Sequence, residues 1–336
     1  MSRRQTSAVS GCALALAAAW TGAIADPVVS YGVSKPLREP ALFAPGVIST
    51  GDYESHPAFT PDGNTLYFLK DSPGFHFWTI FVSRFAEGHW STPQLAPFSG
   101  QYRDADPFIS ADGKHLFFIS DRPVPGKAHH DLDIWTMDRD GDGWSAPRNL
   151  GLPVNSEGQE WYPTLAADGT LYFGSDRKGG KGRTDIWRAR FVDGKYAEPE
   201  NLGEAINSAQ EEYEPFIAPD QSYLLFMGDN REGRGDSDLF VSWQCHGAWS
   251  KAEPLGAGVN SDGSEYSPKI SPDGKYFFWT STRTDVAKLS QKPFDTAAYL
   301  QRIHAPGNGL GDIYQIDVDA LNLHSACKNS LEQKNG

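Results

Sequence analysis

The sequence predicts an all-β fold, a five-bladed β-propeller built from four-stranded antiparallel blades. Three observations predict it: one unit is repeated five times, each unit is rich in strand-forming residues, and the outer strand missing from the last unit has a counterpart near the N-terminus. A strand-rich repeat of roughly fifty residues is typical of radially repeated β architectures. We expect a single domain over residues 26–336. Its repeats cover 51–100, 101–156, 157–208, 209–261 and 262–321, and a tail covers 322–336.

Each repeat opens with an acidic residue, two further residues and a proline. The five opening segments are Glu54-Ser55-His56-Pro57, Asp104-Ala105-Asp106-Pro107, Glu160-Trp161-Tyr162-Pro163, Glu212-Tyr213-Glu214-Pro215 and Glu265-Tyr266-Ser267-Pro268. Their prolines lie 50, 56, 52 and 53 residues apart, which sets the length of the unit.

The third repeat illustrates how one unit divides into four strands. After its opening segment we expect a short first strand over 163–166, closed by an Asp-Gly turn. A β-branched and aromatic run over 170–174 predicts the second strand, and alternating apolar and polar residues over 185–190 predict the third. The fourth, outer strand is expected over 196–202.

The fifth repeat ends without an outer strand. Residues 37–50 match the outer-strand pattern of the other repeats. We therefore expect the N-terminal segment to pair with the strand that begins at Asp312 and to close the ring. Closure removes the exposed strand edges that would otherwise invite aggregation.

The sequence motifs of the repeats resemble those of a known family. In the third repeat the characteristic motifs are Ala167-Asp168-Gly169, Leu171-Tyr172-Phe173, Ser175-Asp176-Arg177 and Asp185-Ile186-Trp187. This pattern is similar to the WD40-like β-propeller repeat of exported bacterial proteins, related to the TolB propeller. The resemblance covers nearly all of the chain after residue 25 and implies the propeller fold. TolB-type propellers usually have six blades, whereas five repeats are present here, and the resemblance implies little about activity.

The first 25 residues have the pattern of a secretory signal peptide. Arg3 and Arg4 precede an apolar run over 12–25, which ends in small residues before Asp26. Such a run is too short to span a bilayer, so we expect cleavage after Ala25 and a periplasmic or secreted protein. No later stretch is apolar enough to form a membrane span.

Charge and cysteine content limit the possible partners. The formal net charge of −13 becomes −15 once the two N-terminal arginines are removed, and a chain this acidic is expected to repel nucleic acid and anionic lipid.

Cys245 and Cys327 remain after cleavage. An exported protein permits a disulfide, and we expect these two to pair and fasten the tail to the fourth repeat. The alternative is two free thiols or a mixed disulfide.

The acids that open the repeats are candidates for two different roles. They are Glu54, Asp104, Glu160, Glu212 and Glu265. In the structural interpretation they accept backbone N–H bonds or pair with the arginines of the loops after the second strands, namely Arg122, Arg177, Arg231 and Arg283. In the functional interpretation they are catalytic carboxylates or hold a cation such as calcium or sodium, which oxygen ligands suit.

Residues that differ between repeats are the candidates for ligand contact. His56, Asp106, Tyr162 and Glu214 precede the prolines, and Trp161, Tyr213 and Tyr266 stand one position earlier. Together with Arg122, Arg177 and Arg283 they form the predicted ligand-binding set. Aromatic rings beside carboxylates suit a sugar or a peptide, although the same rings could pack between blades.

Three local segments are further candidate sites. The insertion over 284–310 predicts a short helix over 293–304, which could cover the central funnel or pack on the side of the ring. His129 and His130, beside Asp131 and Asp133, offer metal ligands without an evident further one. The acidic run over 138–143 has the spacing of half a calcium loop, but an Asp/Gly hairpin is favoured there.

The sequence contains no nucleophile elbow, Walker loop or zinc-protease helix motif. The leading hypothesis is therefore a binding module for a protein, a peptide or a glycan at the central face. The alternative is a glycan hydrolase or lyase that uses rim carboxylates. Acids bridged to arginines favour the binding module, and two free carboxyls in an open pocket favour the enzyme. A purely structural envelope component is a third possibility.

Overall fold

Five antiparallel sheets follow one another along the chain, and the innermost strand of each contacts the innermost strand of the next. The last sheet also contacts the first, so the sheets form a closed ring. The computed structural model describes residues 30–33, 35–127, 131–231, 233–284, 293–321 and 323. The predicted five-bladed propeller is confirmed. The signal peptide, His129, His130 and Cys327 lie outside the described residues.

The strands are numbered in chain order, from an N-terminal strand that belongs to the last blade. That strand is β1 (Ala41–Leu42). Blade 1 contains β2 (Tyr53–Phe59), β3 (Thr65–Asp71), β4 (Trp78–Ala86), β5 (His89–Trp90) and β6 (Gln94–Leu95). Blade 2 contains β7 (Asp104–Ile109), β8 (His115–Ser120), β9 (Asp133–Asp140), β10 (Gly143–Trp144) and β11 (Arg148–Asn149).

Blade 3 contains β12 (Glu160–Leu165), β13 (Leu171–Ser175), β14 (Asp185–Ala189), β15 (Phe191–Val192), β16 (Lys195–Tyr196) and β17 (Glu200–Asn201). Blade 4 contains β18 (Glu211–Ile217), β19 (Tyr223–Asp229), β20 (Ser237–Cys245), β21 (Ala248–Trp249) and β22 (Glu253–Pro254). Blade 5 contains β23 (Glu265–Ile270), β24 (Tyr276–Ser281) and β25 (Asp312–Asp317). In blades 1 to 4 the predicted outer strand is interrupted, since two short segments replace one continuous strand.

The N-terminal segment closes the ring as predicted. Ala41 pairs with Gln315 and Leu42 with Tyr314 in antiparallel register, so β1 is the outer strand of blade 5. The Phe43 amide then donates to the Ile313 carbonyl at 2.8 Å. The Phe43 side chain is buried against aromatic rings of blades 1 and 5, namely Phe59, Trp90 and Phe278. Both ends of the chain therefore contribute to the same blade.

The innermost strands begin earlier than the sequence predicted. In blade 3 the strand starts at Glu160 and not at Pro163, so the opening segment is itself part of the sheet. Pairing with β13 is interrupted between Trp161 and Thr164 by a β-bulge. The same interruption occurs at the equivalent place in all five blades. A bulge re-aims the side chains beside it, which matters for the site described below.

The insertion of blade 5 forms the predicted helix, α1 (Thr296–Ile303). The Asp295 side chain caps it by accepting a hydrogen bond from the Ala298 amide at 2.8 Å. None of the helical residues is buried. Beyond the helix, the Asn308 amide nitrogen donates to the carbonyls of Ile303 and Gly51, each at 3.0 Å. The helix end is thereby tied to the start of blade 1.

Two smaller expectations concern the acidic hairpin and the tail. Asp140 and Gly143 pair at the end of β9 and β10, so the run over 138–143 is a β-hairpin. Leu323 accepts a hydrogen bond from the Trp243 indole at 3.1 Å and packs with the side chains of blade 4, among which is Cys245. The disulfide between Cys245 and Cys327 stays a prediction, which non-reducing mass mapping would test.

No helix within the described part of the chain is long and apolar enough to cross a membrane.

Candidate functional site

The acids that open the repeats are fully buried, each with 0% of its surface exposed. Glu160 illustrates the arrangement: its carboxylate accepts from the amide and hydroxyl of Ser156, from the Ser175 hydroxyl at 3.0 Å and from Arg177 at 3.0 Å. Glu54, Glu212 and Glu265 accept equivalent bonds from Thr50, Ser208 and Ser261, and Asp104 accepts from the Ser99 hydroxyl. These carboxylates fasten the segment that enters each blade.

In blades 2 to 5 an arginine completes this arrangement. Its guanidinium lies over two aromatic rings of its own blade, forms an ion pair with the acid and donates to a backbone carbonyl of the incoming segment. Arg177, for example, lies 5.0 Å from the Phe173 ring centre and 5.4 Å from that of Trp187, and it donates to the Val154 carbonyl. Arg122, Arg231 and Arg283 repeat the arrangement with the carbonyls of Phe98, Ile206 and Val259. The arginine-to-acid distances are 3.1 Å for Asp104, 2.7 Å for Glu212 and 3.6 Å for Glu265.

Blade 1 departs from this pattern. Lys70 takes over the ion pair, with its ammonium nitrogen 3.0 Å from the Glu54 carboxylate and 2.8 Å from that of Asp52. Its ammonium lies 5.9 Å from the Phe81 ring centre. A cation thus accompanies the opening acid in every blade. The geometry gives these acids and arginines partners inside the protein, and it leaves the carboxylates no open face toward a substrate.

The residues immediately before the prolines converge at the centre of the ring. His56 of blade 1 places Nε2 3.1 Å from Asp106 of blade 2 and 3.2 Å from Glu214 of blade 4. The Tyr162 hydroxyl of blade 3 donates to the Pro268 carbonyl of blade 5 at 3.0 Å. Blades 1 and 4, and blades 3 and 5, are not neighbours in the ring. Such contacts are possible only at the central axis.

The backbone of the bulge explains this convergence. The residues before the five prolines all have positive φ, between 48° and 57°. They are His56, Asp106, Tyr162, Glu214 and Ser267, which we call the axial residues. For residues other than glycine this region is sparsely populated, and it persists where the surrounding structure enforces it. Five equivalent departures from ordinary strand geometry turn five side chains to one place.

Charge at the axis is concentrated and buried. Burial alone would lower the pKa of His56, but the carboxylates of Glu214 and Asp106 outweigh burial and raise it. Burial raises the pKa of Asp106 to about 6, even with the imidazole adjacent. Burial likewise raises the pKa of Asp71, at the end of β3, to about 7. The axial residues and Asp71 therefore form a cluster of groups that change protonation near neutral pH.

Lys269 adds a buried amine to this cluster. Its ammonium nitrogen lies 4.1 Å from the Tyr162 ring centre and 4.9 Å from that of Phe108, and burial lowers its pKa to about 7. Sequence reasoning missed Lys269. The available signal was its position, because the equivalent residues of the other repeats are Ala58, Phe108, Thr164 and Phe216.

Two aromatic groups surround the axial residues on opposite sides of the ring. In blades 3 and 4 the half-buried rings of Trp161 and Tyr213 pack edge to face with centres 5.9 Å apart. In blades 1 and 5 Phe75 packs against Tyr53 at 5.0 Å and against Tyr266 at 6.4 Å. Tyr53 and Phe75 were not predicted, since neither stands at the repeat positions that the sequence singled out.

Polar groups extend the Trp161–Tyr213 pair outward. The Tyr213 hydroxyl donates to Glu211, and Arg183 pairs with the same carboxylate at 2.7 Å. The Arg183 side chain is 85% exposed. This combination of rings and charges provides a stacking and hydrogen-bonding surface next to the axial residues Tyr162 and Glu214.

The structure offers no metal centre among the residues it describes. No group of three or more His, Cys, Asp or Glu side chains is arranged to hold a metal ion in that part of the chain. Asp131 and Asp133, next to the two histidines of the sequence motif, both pair with Lys127. We therefore assign no calcium ligand and no transition-metal ligand within the described ranges.

Comparison with known proteins gives similarity of fold. No family model matches the chain, and no curated protein matches it. The WD40-like family membership therefore stays a prediction. Among solved structures, TolB from Acinetobacter baumannii has 16% identity and a TM-score of 0.43, with 79% of this chain and 54% of that chain covered. The chain thus spans about half the length of that TolB structure.

Two carbohydrate-active enzymes also have similar structures. An α-L-arabinofuranosidase from Lactobacillus brevis has 11% identity and a TM-score of 0.43, covering 81% of this chain and 92% of that chain. An oligogalacturonate lyase in complex with manganese has 13% identity and a TM-score of 0.38, covering 78% and 64%. At such identities and TM-scores these similarities carry no inference about activity.

Proposed function

We propose that this protein is an exported binding module that holds a peptide or a glycan at its central face. The half-buried rings of Trp161 and Tyr213 provide one stacking surface beside the Glu211 carboxylate, and the exposed Phe75 ring provides another. Rings that present a flat apolar face beside carboxylates suit both sugar rings and peptide side chains. The proposal that the protein is exported depends only on the signal-peptide pattern of residues 1–25.

One observation supports this proposal over catalysis. The five opening acids, which would be the natural catalytic carboxylates, are fully buried and bonded to cations of the same blade. The aromatic residue one position later is half-buried in blades 3 and 4. Available surface in this region is therefore aromatic, and the acids of the repeat serve the fold.

A binding screen tests the proposal directly. The protein without residues 1–25 is applied to glycan and peptide arrays, in calcium and in a chelator. For any ligand found, Trp161→Ala is expected to weaken binding about tenfold, because a stacked ring contributes on the order of 1–2 kcal/mol. Phe191→Ala is the matched control, since Phe191 is exposed on an outer hairpin of blade 3. Equal losses in the two variants would contradict a central binding surface.

An enzyme acting on glycans is the second candidate, and Asp71 is the specific reason. Its pKa is raised to about 7 by burial, and it lies close enough to His56 for the two charges to interact. A carboxyl with such a pKa can act as a general acid near neutral pH. Any glycan found in the screen is incubated with the protein, and new reducing ends or unsaturated products are measured. Turnover that disappears in Asp71→Asn while binding persists would favour the enzyme.

A further inference from the structure

Blade 1 lacks the arginine that the other four blades share. Strand pairing aligns Lys70 with Ser120, because each faces the opening acid of its blade. Ser72 therefore stands where Arg122 stands in blade 2, and a proline follows in both cases. The arginine of the repeat has been replaced by a serine whose side chain cannot reach the acid.

The surroundings of that missing arginine are nevertheless retained. Phe68 and Phe81 form the aromatic pair, with ring centres 6.3 Å apart, at the positions of Phe118 and Trp135. Glu54 is buried at the position of the other opening acids. Thr50 bonds to Glu54 as Ser156 bonds to Glu160. Blade 1 thus keeps the rings, the carboxylate and the hydroxyl that surround a guanidinium elsewhere.

A pocket of about 470 Å³ opens at this place. Its lining includes Val47, Thr50, Asp52, Lys70, Phe81 and His304. Val47 is equivalent to Pro153, whose carbonyl accepts from Arg177 at 3.3 Å in blade 3. The pocket therefore opens beside the place that Arg177 fills in its own blade, part of which the Lys70 side chain occupies here. We call it the blade-1 pocket.

We infer that the blade-1 pocket binds a guanidinium group supplied from outside, the arginine side chain of a peptide or a protein. In the other four blades the equivalent surroundings hold an internal guanidinium. Lys70 balances one of the two carboxylates, Asp52 and Glu54, so one negative charge is left for an incoming cation. The Asp52 side chain is 70% exposed and accessible to a ligand.

The chemistry of the pocket favours arginine over lysine. A planar guanidinium stacks on a ring face and donates two parallel hydrogen bonds to a carboxylate. An ammonium group is a compact point charge and is more strongly hydrated. Phe81 offers the ring, and Asp52 offers the carboxylate. The pocket shares no lining residue with the proposed central binding surface, so the inference can be tested independently of the proposed function.

The test uses acetyl-argininamide as the probe. It is titrated into the protein labelled with ¹⁵N-glycine, and the amide signals of Gly46 and Gly51, which line the pocket, are followed. Saturable shifts are expected, with acetyl-lysinamide binding at least about tenfold more weakly because it lacks the stacking and forked hydrogen bonds. Equal affinity for the two compounds, or the absence of saturation with argininamide, would overturn the inference. Saturable binding of acetyl-glutamate instead would do the same.

A variant that restores the internal arginine provides the decisive comparison. Lys70→Ser combined with Ser72→Arg copies the Ser-Asp-Arg-Pro sequence of blade 2. The new side chain is expected to fill the pocket, so the affinity for argininamide falls at least about tenfold. Undiminished binding would contradict the assignment.

A single surface substitution covers the case in which the double variant does not fold. Asp52→Asn removes an exposed carboxylate and is expected to weaken argininamide binding severalfold, on the order of a lost exposed ion pair. Asp142→Asn, in the exposed hairpin of blade 2, is the matched control and is expected to leave binding unchanged. Equal affinities in these two variants would count against a role for Asp52 and against the pocket.

Discussion

His56 of blade 1 and Glu214 of blade 4 meet at the central axis, with 3.2 Å between Nε2 and the carboxylate oxygen. Asp106 lies 3.1 Å from the same nitrogen. Both carboxylates belong to blades that reach the axis from different directions, so the imidazole joins three blades at one point. Because His56 and Asp106 are buried and the Glu214 side chain is only 14% exposed, the charge on His56 is important for the stability of the ring.

The first prediction concerns His56→Gln, which removes that charge. Breaking a buried ion pair costs on the order of 3–5 kcal/mol, so the free energy of unfolding is expected to fall by about 3 kcal/mol at pH 6. The folded-state pKa of His56 is raised by Glu214 and Asp106 against the opposing effect of burial. Its contribution is therefore complete below the unfolded pKa of about 6.5 and is lost as pH rises through the folded value.

Urea unfolding at pH 6 and pH 9 measures the difference between the wild type and His56→Gln. The difference is expected to be largest at the lower pH and to decrease toward the higher pH. The control is His115→Gln, since His115 is half-exposed and pairs with Asp138 at the surface. Exposed pairs contribute roughly 0–1 kcal/mol. A wild-type advantage that grows toward pH 9 would rule out the charged imidazole.

The second prediction concerns the pairs between opening acids and arginines. Glu160→Gln leaves the buried guanidinium of Arg177 without its counter-charge. The expected loss is about 3 kcal/mol in the free energy of unfolding, because an uncompensated buried charge is costly. Glu204→Gln is the control, as Glu204 is 84% exposed and pairs with Lys181 on the surface. Denaturant midpoints that shift equally in the two variants would argue against the structural role.

Much of the architecture could be predicted because the repeat is strict. The spacing of the prolines gave the number of blades, and the truncated fifth repeat located the closing strand beside Asp312, where Leu42 and Tyr314 pair. The arginine partners of the opening acids could also be named. These features depend on local sequence that is written several times.

The arrangement at the axis could not be predicted in the same way. A residue before proline is normally driven to the extended region, so nothing local indicates the positive φ of Glu214 or Ser267. The contact between His56 and Glu214 joins residues 158 positions apart, and only the closed ring brings them together. The blade-1 pocket could not be predicted from the sequence either. Ser72 is recognised as the residue in place of the arginine only when the strand register aligns it with Arg122.

The third prediction concerns closure of the ring. Deleting residues 26–50 removes β1 and is expected to lower the melting temperature of the whole protein, since blade 5 loses its outer strand. An unchanged melting temperature would refute this role. Phe43→Ala tests the same contact with less disruption and is expected to cost about 3–5 kcal/mol, the usual loss for a buried phenylalanine. Leu152→Ala is the control, because Leu152 is 85% exposed.

The fourth prediction concerns backbone strain at Ser267. This residue has φ of 57° and is completely buried, and its hydroxyl has no hydrogen-bond partner among the described residues. Glycine adopts positive φ without steric cost, so Ser267→Gly is expected to raise the free energy of unfolding by about 1 kcal/mol. Ser267→Val places a β-branched side chain in the same region and is expected to lower it by at least about 2 kcal/mol.

Ala105→Gly provides the comparison for Ser267→Gly. Ala105 lies in an innermost strand one position earlier in its repeat and is not among the residues with positive φ. Glycine in an ordinary strand position loses about 0.5–1 kcal/mol through the greater flexibility of the unfolded chain. Opposite signs for the two glycine substitutions, measured by urea unfolding, are therefore expected. If both variants lose stability, the positive φ of the axial residues carries no strain, and the side chains converge on the axis without cost to the fold.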